Sequence, residues 1–211
     1  MGNKLLQEFE YALLNYDKPS KYFNELIEKS DFPEKYPFNM IKDLINVPQS
    51  KQHHPEGSVW NHTMMVIDEA SKVKSKSKDE RVFMWAALLH DIGKTQTTKI
   101  RKGKVTSYNH DKIGAIMVEE FFTYFNENPR FIKTVKNLVK YHMHILFVVK
   151  NMPYGDINSM IKESDIDEIA LLGLSDRLGR GDMAKENIEK EKNNVKMFLE
   201  LSKKYKSKLK H

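Results

Sequence analysis

His90 and Asp91 stand side by side in the run AALLHDIGKT, where an apolar stretch ends. Imidazole and carboxylate both ligate divalent ions, and two further groups of the right type lie far off in sequence: His62 in VWNHTMMVIDEA and Asp176 in ALLGLSDRLGRG. His110 and His142 add two more imidazoles between the pair and Asp176. The 211 residues contain no cysteine, so any ion must be held by nitrogen and oxygen. That donor set suits nickel, manganese, cobalt, iron or zinc, with magnesium also open, rather than a structural zinc cluster.

Helical spacing turns these residues inward. His62 continues the stripe of Val59, Val66, Ile67 and Ala70; His90 follows Phe83 and Ala87; Asp176 follows Ile169 and Leu172. His142 continues Val135 and Leu138, and His110 precedes a face of Ile113, Met117 and Phe121. A lone inward histidine is more often a hydrogen-bonded core residue than a ligand. A carboxylate aimed at a core is different, because burying an unpaired charge is very costly. Inward groups in this number make a poor core unless they converge on a shared cation, and a metal site is therefore expected.

The local sequence adds further expectations. Neighbours on a helix diverge by about 100°, so His90 and Asp91 can share an ion only where the helix unwinds. Ile92-Gly93 is expected to supply that end, with the glycine in the left-handed conformation. Lys94 then falls at the rim, placed for a phosphate oxygen. Arg177 and Arg180, two of only five arginines, lie within four residues of Asp176. A guanidinium suits bidentate phosphate contact, although a salt bridge to a neighbouring helix fits equally well. His54 and Glu56, just upstream of His62, either border the pocket or only shape their loop.

The elements that must carry these groups read as helical almost throughout. Segments 3–15 and 20–29 are amphipathic, and 38–46 stops before Pro48 because proline disfavours the helical conformation in the residue preceding it. After the loop PQSKQHHPEGS come the helix bearing His62, a basic loop over 71–79 and a helix over 80–90. Residues 95–109 break the pattern, and Thr, Ile, Val and Tyr around Gly103 predict a small β-hairpin near 97–108 or an irregular lid. Helices follow over 111–126 and 129–144, then a loop around Pro153-Tyr154-Gly155 and a short helix over 156–163. A long helix starts at Asp165, with Ser164 and Asp167 as a capping box. Gly179-Arg180-Gly181 breaks it before a charged helix over 183–205.

The expected fold class is all-α. Hydrophobic residues make up 40%, enough for a real core, and the length suits one domain at about 100–200 residues each. No stretch approaches the ~18 apolar residues of a bilayer span. Glu8 and Glu10 sit where an export signal would place its apolar run, so a cytoplasmic protein with no membrane partner is expected. The net charge of +6 and pI near 9.2 suit an anionic substrate. Most of that charge is lysine in runs such as KVKSKSKDE and KKYKSKLKH, which read as solvated faces; they permit nucleic-acid binding without arguing for it. No segment marks a protein partner, and monomer and dimer both fit.

Four motifs, HHPEGSVWNHT at 53–63, ALLHDIGKTQTTK at 87–99, YNHDKIGA at 108–115 and LSDRLGRGD at 174–182, closely resemble the HD domain of bacterial CCA-adding enzymes (tRNA nucleotidyltransferases). These belong to the HD superfamily of metal-dependent phosphohydrolases. The likeness covers about residues 38–182. It implies a single HD-domain helical bundle over 1–211, with N-terminal helices 1–37 and a C-terminal charged helix 183–211 outside the core. His62, His90, Asp91 and Asp176 would hold one ion, which activates a water for attack on phosphorus. Lys94, Arg177 and Arg180 would stabilise the charge on the non-bridging oxygens, with His54 and Glu56 as further substrate contacts. His110 and His142 either bind a second ion or act on the leaving group and phosphate; the CCA-type likeness favours one ion. Together with Asp91 and Lys94 they form the expected catalytic set.

The implied substrate is a nucleotide or RNA-terminal phosphate: a 2′,3′-cyclic phosphate, a 2′-nucleotide or a simple phosphomonoester. Residues 1–39 lack the glycine-rich turn and paired aspartates of a nucleotidyltransferase head, so nucleotide addition is not expected. The Gly-Tyr-Pro element of cyclic-di-GMP phosphodiesterases and the Glu-Asp pair of alarmone hydrolases are absent as well. The competing reading is a non-catalytic HD-fold module that binds nucleotide or RNA.

Overall fold

A computed structural model describes residues 2–50, 54–181 and 183–208. His53 of the first motif, Asp182 of the last and the end of the basic tail lie outside the described residues.

The chain opens with α1 (Gly2–Asn15), which turns Leu6, Phe9 and Leu13 inward, and α2 (Pro19–Glu28). Pro19 suits the first turn, where its missing N–H costs nothing. Phe23, Phe32 and Phe38 all meet Phe9 edge-on, with ring centroids 5.0–5.4 Å away, and so pin these helices to the core. A short α3 (Asn39–Lys42) runs into a 3-10 turn. Next come α4 (Val59–Ser71), capped by the Ser58 hydroxyl on the Asn61 N–H, and α5 (Glu80–Leu89), capped by Asp79 on the Val82 N–H. Every α5 residue from Val82 to Leu89 is buried, which marks it as the central helix.

After α6 (Lys94–Thr97) the expected hairpin forms. Strand β1 (Lys99–Arg101) pairs antiparallel with β2 (Lys104–Thr106), Ile100 opposite Val105. Lys102 and Gly103 turn it with φ of 49° and 74°, the left-handed pair that matches strand twist in a two-residue loop. The remaining helices are α7 (His110–Tyr124), α8 (Pro129–Tyr141), α9 (His144–Val149), α10 (Ile157–Glu163), α11 (Ile166–Leu178) and α12 (Lys185–Lys208). One hydrophobic cluster runs from Leu6 through the α5 side chains to Phe198. α5 lies against α4, α8 and α11; α7 packs along α8, and α12 along α11 and α9. No described helix is long and apolar enough to cross a membrane.

Two boundaries differ from expectation. The segment 129–144 is not one helix, because α8 ends at Tyr141 and α9 begins two residues past His142. The His142 imidazole takes up the Val139 carbonyl at 2.6 Å, and the chain turns there. HILFVV then forms a helix of its own that no glycine or proline announces. The cap of α11 is Asp165, which accepts from the N–H groups of Asp167 and Glu168, while Ser164 stays extended.

Candidate metal centre

The candidate residues gather where helices end. His90 follows the last residue of α5, and Asp91 lies in the tight turn closed by Ile92 N–H on Leu89 O (3.1 Å) and Lys94 N–H on Asp91 O (2.9 Å). His110 opens α7, His142 closes α8, Asp176 sits in the last turns of α11, and His62 projects from the first turn of α4.

Each imidazole is anchored by Nδ1 on a backbone carbonyl. His62 meets Gly179 O at 3.0 Å, His90 meets Ala87 O at 2.8 Å, His110 meets Ser107 O at 2.7 Å and His142 meets Val139 O at 2.6 Å. A carbonyl only accepts, so Nδ1 carries the proton and donates it. The Nε2 atoms are then the ligating ones, and this is the way metal-binding histidines are usually oriented.

Those Nε2 atoms surround the Asp91 carboxylate. Oδ2 lies 3.3 Å from His90 Nε2 and 3.8 Å from His62 Nε2, whereas Oδ1 lies 3.4 Å from His110 Nε2 and 3.8 Å from His142 Nε2. Asp176 Oδ1 is 3.0 Å from His62 Nε2. Two facts fit these residues to a cation. The fully buried His90 Nε2 has no hydrogen-bond partner, a cost that a native site rarely bears without reason. His110 Nε2 and His142 Nε2 also face each other at 3.3 Å, and both hold an anchored proton on the far nitrogen. His62-His90-Asp91 and Asp91-His110-His142 each bring their ligating atoms within 4.8 Å of one another. His54, Glu56 and His62 do so as well. There Glu56 meets the Nδ1 side of His62 at 3.0 Å and so supports the ring from behind.

The cluster opens into a cleft of about 790 Å³ that includes Gln49, His54, Lys94, Arg180 and residues of the hairpin. A second hollow of about 880 Å³, alongside α7 and α8, contains none of the candidate groups.

Residues 59–172 match the HD domain family, and that span takes in the His90-Asp91 pair, His62, His110 and His142. The chain belongs to the HD domain family. Such domains are typically metal-dependent hydrolases, and the His/Asp cluster here offers the donors that this chemistry needs. Among known proteins the chain is similar to the Multifunctional CCA protein of Actinobacillus pleuropneumoniae serotype 5b, 37% identical over 83 residues, which is 39% of this chain and 20% of that one. It is 30% identical to the Multifunctional CCA protein of Methylococcus capsulatus over 139 residues, 64% of this chain and 30% of the relative. The match to the Mannheimia succiniciproducens protein of the same name is longer: 26% over 188 residues, 84% of this chain and 43% of that one. The chain thus spans less than half the length of each of these relatives.

The charges of the HD cluster are set by their neighbours. Burial opposes ionisation of Asp91, but Lys94 Nζ at 2.6 Å and His90 beside it hold the carboxyl well below its usual range. Asp176 is likewise held low despite burial, by Arg180 and His62. Burial also opposes a charge on His62, yet hydrogen bonds that it donates to Asp176 and Glu56 outweigh it and push the imidazole up to about 9. His142 goes the other way, to about 4, through burial and the nearby His110. Burial would raise Glu56, but His54 and His62 bring it down to about 2.

These charges have a measurable consequence. Without an ion, His62 keeps a proton on Nε2 up to about pH 9, and that proton must leave before the nitrogen can ligate. Uptake of a divalent ion at pH 7.5 should therefore release about one proton from His62, and affinity should rise with pH. Titration calorimetry in buffers of different ionisation enthalpy reads this directly. Enthalpies that do not change with buffer would contradict it.

Several expected positions shift. Lys94 is not at the rim: it turns inward, its ammonium shared between Asp91 and Gln49 Oε1 at 2.7 Å. Arg177 is buried and pairs with Glu191 on α12, outside the cleft lining, because a step of one residue from the inward Asp176 rotates it toward that helix. Arg180, one turn on from Asp176, does line the cleft, 3.7 Å from Asp176 Oδ2. His54 lines the cleft too, with its Nδ1 on Glu56 Oε1 at 2.8 Å.

Gly93 closes the turn with φ of −66°, not in the left-handed region. A Cβ there would lie 2.1 Å from His110 O and 2.5 Å from Gly114 N, so glycine is needed to let α7 approach. Gln49 was not anticipated. Pro48 pairs with Ser58 as an isolated β-bridge, which carries Gln49 to Lys94, and only that long-range pairing could have marked it.

Proposed function

We propose that this chain is a metal-dependent phosphohydrolase acting on nucleotide or RNA-end phosphoesters, of the 2′,3′-cyclic phosphodiesterase, 2′-nucleotidase or phosphatase type. The observation that carries this reading is the set of carbonyl-anchored histidines whose Nε2 atoms surround one carboxylate. His62, His90, Asp91 and Asp176 would hold one ion. Asp91 turns its other oxygen to His110 and His142, which favours a second position sharing that carboxylate. A divalent ion bound there lowers the pKa of water toward neutrality and polarises a phosphoryl oxygen.

The chain's own residues supply the rest. Asp91 divides its oxygens between the two imidazole pairs and fixes their spacing. Glu56 and Gly179 O hold the His62 ring, so its ligating edge stays turned to the cluster. Gln49 holds the Lys94 ammonium beside Asp91, and Arg180 faces the cleft next to Asp176; both present positive charge where the non-bridging oxygens of a phosphate would gather. A module that only grips nucleotide has no use for four aligned Nε2 atoms, one of which, on His90, is otherwise orphaned. The likeness to the Multifunctional CCA proteins supports the RNA-end part of the reading.

The test is a substrate panel. Chelated protein reloaded separately with nickel, manganese and cobalt is assayed on p-nitrophenyl phosphate and on cyclic, 2′-, 3′- and 5′-nucleotides. Ion-dependent release from the cyclic or 2′-nucleotides is expected. Loaded protein that leaves every ester intact would refute the proposal.

A further inference from the structure

The hairpin is the element that the hydrolytic reading does not use. Residues 92–110 contain five cations, Lys94, Lys99, Arg101, Lys102 and Lys104, and no carboxylate. All but Lys94 are on the hairpin and exposed, and among the described residues none of those four forms an ion pair. Several helical lysines behave otherwise: Lys42, Lys136 and Lys140 lie against Glu34, Glu119 and Glu163. A two-stranded ribbon of three-residue strands is marginal in water by itself, and Ile100 is left 64% exposed. Such a ribbon suits a partner that covers it.

The hairpin also borders the cleft. Val105 and Thr106 of β2 line it, and Tyr108 follows on the same edge. Tyr108 is 78% exposed, and Tyr154, from the loop after α9, is 67% exposed at the same cleft. Tyr154 packs against Phe147, ring centroids 5.9 Å apart and steeply inclined, and most of its ring remains open to solvent. The cleft, at about 790 Å³, sits in the upper part of the ~300–1,000 Å³ range of small-molecule sites and is far larger than a phosphoryl group needs. Unpaired cations beside exposed aromatic faces are the recognition chemistry of single-stranded nucleic acid, in which backbone charge and stacking act together.

We infer that the cleft takes the phosphate-bearing end of a single-stranded polynucleotide, with the strand's backbone on Lys99, Arg101, Lys102 and Lys104 and its terminal bases stacked on Tyr108 and Tyr154. This rests on the phosphohydrolase reading for the fate of the end phosphate, but strand binding itself does not depend on turnover.

The experiment uses the ion-loaded full chain and a labelled ten-nucleotide single strand with a 3′-phosphate, in ribo and deoxy forms. Binding is followed by fluorescence anisotropy, and turnover of a 2′,3′-cyclic mononucleotide is measured in parallel. Four backbone contacts predict an affinity that falls on the order of 50-fold as salt rises from about 50 to about 200 mM. The variant Lys99→Gln/Arg101→Gln/Lys102→Gln/Lys104→Gln should lose most of that salt dependence and bind weakly at low salt, while still turning over the mononucleotide. Tyr154→Ala should weaken strand binding about tenfold. A clear preference for the ribo strand would specify RNA as the polynucleotide. Equal strand affinity in wild type and the four-site variant, or no strand binding at all, would overturn the inference even if the mononucleotide is hydrolysed. Strand binding that behaves as expected in a protein that hydrolyses nothing would instead strike the phosphohydrolase reading.

Discussion

Asp91→Ala should lose hydrolysis by at least about 10³-fold and fail to retain divalent ions, while far-UV circular dichroism still shows the helical bundle. Among the described residues its carboxylate is the one group in contact range of all four anchored imidazoles, so no described neighbour can take its place. Loss of an outer-sphere partner of a metal ligand typically costs 10–100-fold, and a carboxylate shared between two positions should cost more. Removing it also strips Lys94 of its carboxylate partner, but Gln49 still holds that ammonium. Asp91→Asn keeps the volume and removes the charge, and it should show the same loss of ions with less strain. Wild-type turnover in either variant would be incompatible with the proposed centre.

The second large effect is expected at a residue with no chemistry of its own. Gly93→Ala is unstrained in conformation, since φ of −66° is ordinary for alanine. The added Cβ would nevertheless fall 2.1 Å from His110 O, 2.5 Å from Gly114 N and 3.0 Å from Gly114 Cα. All three are backbone atoms of α7 and cannot rotate aside, so the N-terminus of that helix must move and carry His110 with it. Overpacking of this kind costs about 3 kcal/mol, a fall in Tm of roughly 10 °C for a chain this long. A shift of about 1 Å at a site residue can cost about 10²-fold in rate. Thermal unfolding and turnover of the same preparation test both effects. A Tm within about 2 °C of wild type would show that the two segments are not packed as described.

These two residues also show how far sequence reasoning reached. His62, His90 and Asp176 were legible because a helix has a fixed period, and a polar residue repeating an apolar stripe must point into the core. The all-α class, the hairpin and the helix ends that frame the site follow from the same periodicity and from turn chemistry. Gly93 was correctly marked as an end signal, but for the wrong reason: its requirement comes from α7, a segment seventeen residues away at His110, and not from local backbone conformation. Arg177 and Arg180 share a composition signal, and only their rotation about α11 separates the one facing α12 from the one facing the cleft. The division of Asp91 between two imidazole pairs was beyond reach, since it arises where the ends of α5, α7 and α8 meet. No spacing along one chain segment encodes that meeting point. Likewise α9 stayed hidden because HILFVV carries no punctuating residue, and the break before it is made by a side chain that caps its own helix.

The most direct test of the metal-dependent centre is the ion content of protein purified without added metal, measured by mass spectrometry alongside hydrolysis before and after chelation. Close to two divalent ions per chain are predicted, with activity lost as they are stripped and recovered on their return. Protein that hydrolyses its substrate at an undiminished rate with no ion bound would contradict the account.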